Sequence, residues 1–247
     1  MDAIPIIDFS AYRLGVADDD VPGERLQELR EEVRRAFTEV GFVYLRNTGI
    51  EQDEKWPSEE FCSTHLGFHR RCVALSLRVL RVMALSLGIN PDVFLKAHSL
   101  IGREGNCTSL RALYYPPVKR ETVKEDQIRC GEHSDYGSIT LLFQSKEEGL
   151  QVMSRKGQFI SAPSIPGTVL VNIADLMQRW TSDVFVSAVH RVLLPPEGDL
   201  RTRQSLTFFV QPDNSAIISC CDGSNKYPPV SSWDYLQSRF SDTYGRT

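Results

Sequence analysis

No apolar run in this chain approaches the roughly 18 uninterrupted residues of a membrane span. Its start, MDAIPIIDFSAY, lacks the basic opening, apolar core and small-residue cleavage site of a secretory signal. Basic residues never cluster beyond short pairs such as Arg70-Arg71, and the net charge is -4, so nothing points to nucleic acid or an anionic membrane surface as a partner. Six cysteines (Cys62, Cys72, Cys107, Cys130, Cys220, Cys221) follow no disulfide-framework spacing and read as reduced thiols in a cytoplasmic protein. Internal repeats and low-complexity segments are absent too. With 247 residues, 41% of them hydrophobic, the chain can bury a full core, and a small diffusible substrate is the natural partner.

Hydrophobic periodicity divides the chain in two. In PGERLQELREEVRRAFTEVG, Leu26, Leu29, Val33, Phe37 and Val40 recur at helical spacing, Pro22 suits the first turn and Gly41 the stop. Short strands are expected on either side, at PIIDF and FVYLRN. A second helix is expected over about 58–87, ended by Gly88 and Asn90-Pro91, and a short one at PDVFLKA. From Thr108 the pattern changes to strands: SLRALYY, SITLLF, LQVM, QFIS, TVLVNI, SAVHRVLL, QSLTFFV and AIIS, separated by Pro, Gly, Asp and Ser. Two helices interrupt them, at ADLMQRW and near Trp233–Phe240. The expected architecture is mainly β with flanking helices, a sandwich or barrel over 108–247 with 1–107 packed against it.

Only five histidines are present, so their placing is informative. Cys62, His65, His69 and Cys72 form C-x2-H-x3-H-x2-C, which looks like a zinc motif. On one straight helix, however, its outer members lie roughly 15 Å apart, and zinc needs ligands at about 2.0–2.3 Å. The choices left are a packed stripe or a two-ligand site at His65 and His69. His98, alone after its short helix, reads as a surface or packing residue.

His133 and Asp135 differ in kind. They stand two apart beside a strand, where side chains at i and i+2 point the same way, and His190 lies in another strand from which it could complete a set on a facing surface. Two imidazoles and one carboxylate suit non-haem Fe(II). The alternative is an exposed loop pair and an unrelated buried histidine. Further on, Arg203 and Ser205 share one face of RQSLTFFVQPD. An arginine aimed into an apolar barrel needs an anion, and a guanidinium pairs with a carboxylate bidentately. A dicarboxylate co-substrate would answer; a surface arginine, or one paired with a protein acid, is the competing reading.

Taken together, PIIDF, GFVYLRNTGI, LRALYYPP, EHSDYGSITLLFQ, GLQV, VNIADLMQRWT, SAVHRV and RQSLTFFVQPD resemble, in order and over almost the whole chain, the iron- and 2-oxoglutarate-dependent oxygenases of the isopenicillin N synthase-like branch. The resemblance implies a double-stranded β-helix (jelly-roll, cupin-like barrel) with His133, Asp135 and His190 as Fe(II) ligands. It implies Arg203 and Ser205 as the anchor of the distal carboxylate of 2-oxoglutarate, Tyr115 as a co-substrate contact, and Arg111 and Leu113 as substrate-pocket residues. Asn172, Asp175 and Trp180 would shape the turn before the third ligand. It further implies consumption of O2 and release of succinate and CO2 as a small molecule is oxidised, hydroxylation being the default.

Two departures accompany it. Only EQDE separates Ile50 from Lys55, where relatives carry a helix, a loop and part of the pocket, and Ala174 replaces a usual glycine. An impaired or non-catalytic shortened form, and an iron oxidase that does not use 2-oxoglutarate, are therefore the alternatives to the full enzyme.

Overall fold

The computed structural model describes residues 3–49, 61–118, 121, 123, 124 and 126–245, so the junction at Glu54–Lys55 and the side chain of Cys62 lie outside the described residues. In chain order the elements are β1 (Ile6–Asp8), α1 (Gly23–Glu39), β2 (Phe42–Arg46), α2 (Phe61–Ser86), the one-turn α3 (Asp92–Leu95) and β3 (Ser109–Tyr115). Then follow β4 (Cys130–His133), β5 (Ile139–Gln144), β6 (Leu150–Met153), β7 (Phe159–Ser161), β8 (Thr168–Ile173) and α4 (Asp175–Trp180). The chain closes with β9 (His190–Val192), β10 (Arg203–Val210), β11 (Ile217–Ile218), β12 (Val230–Ser231) and α5 (Ser232–Tyr244). Every strand and helix expected from periodicity is present, with trimmed ends.

Strand alternation builds two layers from one sheet. The six-stranded sheet runs β1-β2-β8-β5-β10-β3, with β1 parallel to β2 and all other pairs antiparallel. Val43 and Leu45 of β2, Val169, Val171 and Ile173 of β8, Ile139 and Leu141 of β5, and Phe208 and Val210 of β10 share one buried cluster with Leu29, Val33 and Phe37 of α1 and Leu75, Val79 and Met83 of α2. The opposite parity, Phe42, Tyr44 and Leu170, packs with Leu150 and Val152 of β6 and Val192 of β9. These last belong to a second, four-stranded antiparallel sheet, β4-β9-β6-β7. Two facing sheets with helices on the outer side of the larger one make the double-stranded β-helix arrangement. Burying a Leu, Val or Phe on either face contributes roughly 1.5–3 kcal/mol.

Local chemistry fixes the helix ends. Arg30 Nε donates to Leu85 O at 2.9 Å and Arg34 Nη1 to Ser86 O at 3.1 Å, so α1 supplies donors for two of the last carbonyls of α2. Gly41 turns the chain from α1 into β2 at φ +76°, and a Cβ there would collide with the Val186 carbonyl. Ala174, where a glycine was the expected residue, has an extended backbone at φ -112° and ψ 168°, which needs no glycine.

His98 is a correction in part: it is 1% exposed, so the surface reading fails and the packing one stands. Its Nδ1 bonds Phe94 O at 2.7 Å, its Nε2 bonds Ser138 Oγ at 2.9 Å, and its ring stacks on Trp180. Burial pushes its pKa down to about 4. The unfolded imidazole titrates near 6.5 and binds a proton that the folded one refuses, so this contribution to stability is full above pH 6.5 and is lost as pH falls toward 4. Denaturant titrations between pH 7 and pH 4 should show the wild type losing up to about 3 kcal/mol more than His98→Gln; parallel pH profiles would contradict this.

Candidate metal centre

The centre is assembled where the ends of both sheets meet. His133 is the last residue of β4 and pairs across the ladder with His190, the first of β9. The third ligand candidate thus comes from the neighbouring strand of the same sheet, not from a facing one. Asp135 lies beyond the strand, in the loop to β5, so its approach owes more to this loop than to strand alternation. The imidazole centroids stand 4.2 Å apart. His133 Nε2 is 4.0 Å and His190 Nε2 3.8 Å from Asp135 Oδ1, and the three donor atoms lie within 4.8 Å of one another. Among the described residues this is the one such group of three or more His, Cys, Asp or Glu; the stripe of His65 and His69 forms none.

Each donor is aimed by a hydrogen bond on its far side. His133 Nδ1 faces Gly131 O at 2.8 Å and His190 Nδ1 faces Ala188 O at 3.1 Å. A carbonyl only accepts, so both Nδ1 atoms carry the proton and both Nε2 lone pairs point to the centre. Asp135 Oδ2 accepts from Thr140 Oγ1 at 2.6 Å and from Asn172 Nδ2 at 2.8 Å. Thr140 and Asn172 are themselves a cross-strand pair of β5 and β8. The larger sheet therefore holds one oxygen and leaves Oδ1 to the imidazoles. Asn172 was expected only to shape a turn; it touches the carboxylate directly, a role that would have been visible only with the β5–β8 register known.

Protons compete with a cation for these donors. The Cys130 sulfur, 3.8 Å from Nδ1, is foremost in pushing the His133 pKa up to about 9, while burial pushes His190 down.

The second constellation lies on the inward face of the larger sheet. Arg203 pairs in register with Tyr115, Ser205 with Leu113, and Thr207 with Arg111, so all six side chains share that face. Arg203 is 1% exposed. Its Nη2 donates to Gln144 Oε1 at 3.0 Å and its guanidinium lies over the Tyr115 ring at 5.1 Å, but Nε and Nη1 have no hydrogen-bond partner. No protein acid pairs with it among the described residues, and burial pulls its pKa down. A buried cation with idle donors suits an anionic partner such as a carboxylate. Arg111 is exposed and covers Phe209 at 5.4 Å from the ring centre. Asp175 and Trp180 both sit in α4; Trp180 packs in the core against Phe94, while Asp175 bonds the segments that carry the ligand candidates.

Known proteins resemble this chain in sequence and in fold. The model of the 2OG-Fe(II) oxygenase superfamily matches residues 106–212. Over 193 residues the chain is 37% identical to UPF0676 protein C1494.01 of Schizosaccharomyces pombe, covering 75% of this chain and 58% of that protein. It is 33% identical over 190 residues to the proline hydroxylase buaE of Petromyces alliaceus, again 58% of its length. The crystal structure of a full-length thymine-7-hydroxylase of Neurospora crassa with alpha-KG and 5-formyluracil superposes with a TM-score of 0.81 at 30% identity, covering 96% of this chain and 95% of that one.

The chain therefore belongs to the 2OG-Fe(II) oxygenase superfamily, whose metal and co-substrate are Fe(II) and 2-oxoglutarate. The donor set and the idle guanidinium nitrogens fit both. The chain spans about 58% of the length of the curated relatives it matches. No helix of the described residues is long and apolar enough to cross a membrane.

Because Thr140 and Asn172 hold Asp135 from behind, Thr140→Val and Asn172→Ala should each weaken Fe(II) or Co(II) binding by about 10- to 100-fold. Anaerobic calorimetry reads this directly, and unchanged affinity in both variants would refute the supporting role.

Proposed function

We propose that this chain is an Fe(II)- and 2-oxoglutarate-dependent oxygenase that hydroxylates a small molecule, with residues 108–247 as the barrel and 1–107 packed on it. Iron bound by His133, Asp135 and His190 supplies the O2 chemistry: substrate C–H, O2 and 2-oxoglutarate become the hydroxylated product, succinate and CO2. The rest of the work falls to the protein. Arg203 would pair with the distal carboxylate of 2-oxoglutarate through its free guanidinium donors, Ser205 would offer its hydroxyl to the same group, and Tyr115 lies against the guanidinium. Leu150, Val152 and Val192 keep water from the reacting centre. Arg111 and Leu113, next along the same face, line the substrate side.

The unpaired, fully buried guanidinium of Arg203 carries this reading. Such a charge costs several kcal/mol unless an anion joins it; in an iron oxidase without 2-oxoglutarate that anion would be a substrate or activator carboxylate, and succinate release separates the two readings. Relatives that include a proline hydroxylase and an enzyme crystallised with 5-formyluracil favour a small polar substrate.

Two measurements test the proposal. Purified protein with Fe(II) should form succinate from 2-oxoglutarate in an oxygen-dependent manner, and His133→Ala or Asp135→Ala should reduce this to background; equal rates in wild type and these variants would reject oxygenase activity. Arg203→Gln should raise the KM for 2-oxoglutarate by about 10- to 100-fold, the loss of charge-assisted hydrogen bonds, with Fe(II) affinity unchanged.

A further inference from the structure

The C-terminal helix has no ligand of its own, yet it grips the metal loop from both sides of Asp135. Asp175, the first residue of α4, is the hub. Its Oδ1 accepts from Ser187 Oγ at 2.6 Å, its Oδ2 accepts from Ser134 Oγ at 2.9 Å, and its backbone N–H donates to Asp135 O at 2.8 Å. Ser134 lies between two ligand candidates and Ser187 three residues before the third, so a single carboxylate ties both ligand-bearing segments together.

The only cation paired with that carboxylate among the described residues is Arg239 of α5, Nη2 to Oδ2 at 3.0 Å. The same guanidinium lies 5.0 Å from the ring centre of Tyr136, the residue directly after Asp135. Phe240 meets that ring edge-on at 5.8 Å, and the Tyr136 hydroxyl bonds Thr243 Oγ1. Helix α5 is itself anchored, since Ser231 Oγ caps the Asp234 N–H at 3.0 Å and Leu236 is buried.

We infer that Arg239 is a positioning residue for the metal centre: α5 acts as a clasp that, through Asp175 and Tyr136, sets where Asp135 and His190 stand and thereby the affinity for Fe(II). The inference rests on the proposed ligand set. Ligand donors must converge within a few tenths of an ångström for a metal to be held, and partners beyond the ligands commonly govern that convergence. Ser134 and Tyr136 directly bracket Asp135, so the contacts that hold them act on its position.

The test compares Arg239→Ala, Arg239→Lys and, as a control on the exposed side of α5, Gln237→Ala, all as full-length protein. Anaerobic calorimetry with Fe(II) or Co(II) reads metal affinity, and thermal unfolding without metal reads the fold. Arg239→Ala should bind metal about 10- to 100-fold more weakly, Arg239→Lys should recover most of that loss, and Gln237→Ala should match the wild type. A lowered melting temperature in Arg239→Ala with unchanged metal affinity would reduce Arg239 to a structural residue and overturn the inference. Should Arg239→Ala not fold, Thr243→Ala carries the test: wild-type affinity overturns the clasp, and weakened binding supports it. If the wild type itself binds no metal, the proposed ligand set falls, and the clasp with it; binding by the wild type with no difference among variants rejects the clasp alone.

Discussion

The Asp135 carboxylate has to satisfy two layers at once. One of its oxygens belongs to the larger sheet, taken up by Thr140 and Asn172; the other faces two imidazoles carried by the smaller sheet. A buried carboxylate with fewer partners would protonate or pull away toward water. Two donors on Oδ2 fix it in place without using the oxygen that a cation needs. The sheets can therefore meet at this point only if the β5–β8 register puts Thr140 beside Asn172 and the β4–β9 register puts His133 beside His190. The metal geometry is in that sense a by-product of two strand registers, each fixed by the apolar residues that alternate with it.

Arg203 states the same principle in reverse. Its sheet buries a guanidinium and then leaves two of its donors idle. Gln144 and the face of Tyr115 offset part of the desolvation, but neither is an anion. Stability alone would favour an apolar residue here. A cation held ready in a dry pocket makes sense as a preorganised receptor, because its reorganisation is complete before the anion arrives.

Much of this was legible in the chain. Apolar, strand-favouring runs between turn residues, TVLVNI and QSLTFFV, located β8 and β10 to within a residue, and the i, i+2 spacing of Arg203 and Ser205 correctly predicted a shared face. What could not be read was pairing. CGEH lacks the apolar alternation of a strand, because β4 is a half-exposed edge strand of the smaller sheet, so the strand that carries His133 went unseen. SAVHRVLL looked like a full strand, yet only His190–Val192 form a ladder. Asn172 looked like turn chemistry because its partner, Asp135, is brought to it by a β5–β8 register that no local pattern reveals. His98 was ambiguous for the same reason: a polar side chain announces neither its burial nor the serine 40 residues away that satisfies it.

The N-terminal strands matter to the centre even though none of the ligand candidates lies in them. Phe42 of β2 meets the His190 ring edge-on at 5.5 Å, and β2 pairs with β8 so that Phe42 stands in register with Asn172. The turn that starts β2 is Gly41, pressed against the Val186 carbonyl just ahead of Ser187 and His190, while Val186 N–H donates to Phe37 O of α1. A side chain at residue 41 would push on the same segment that Asp175 ties from the other side. The segment leading into His190 is thus held between the α1–β2 turn and the Asp175 hub, and its position is set by parts of the chain far apart in sequence. A candidate metal centre of this kind is better understood as a property of the packed molecule than of the stretch that carries its motif.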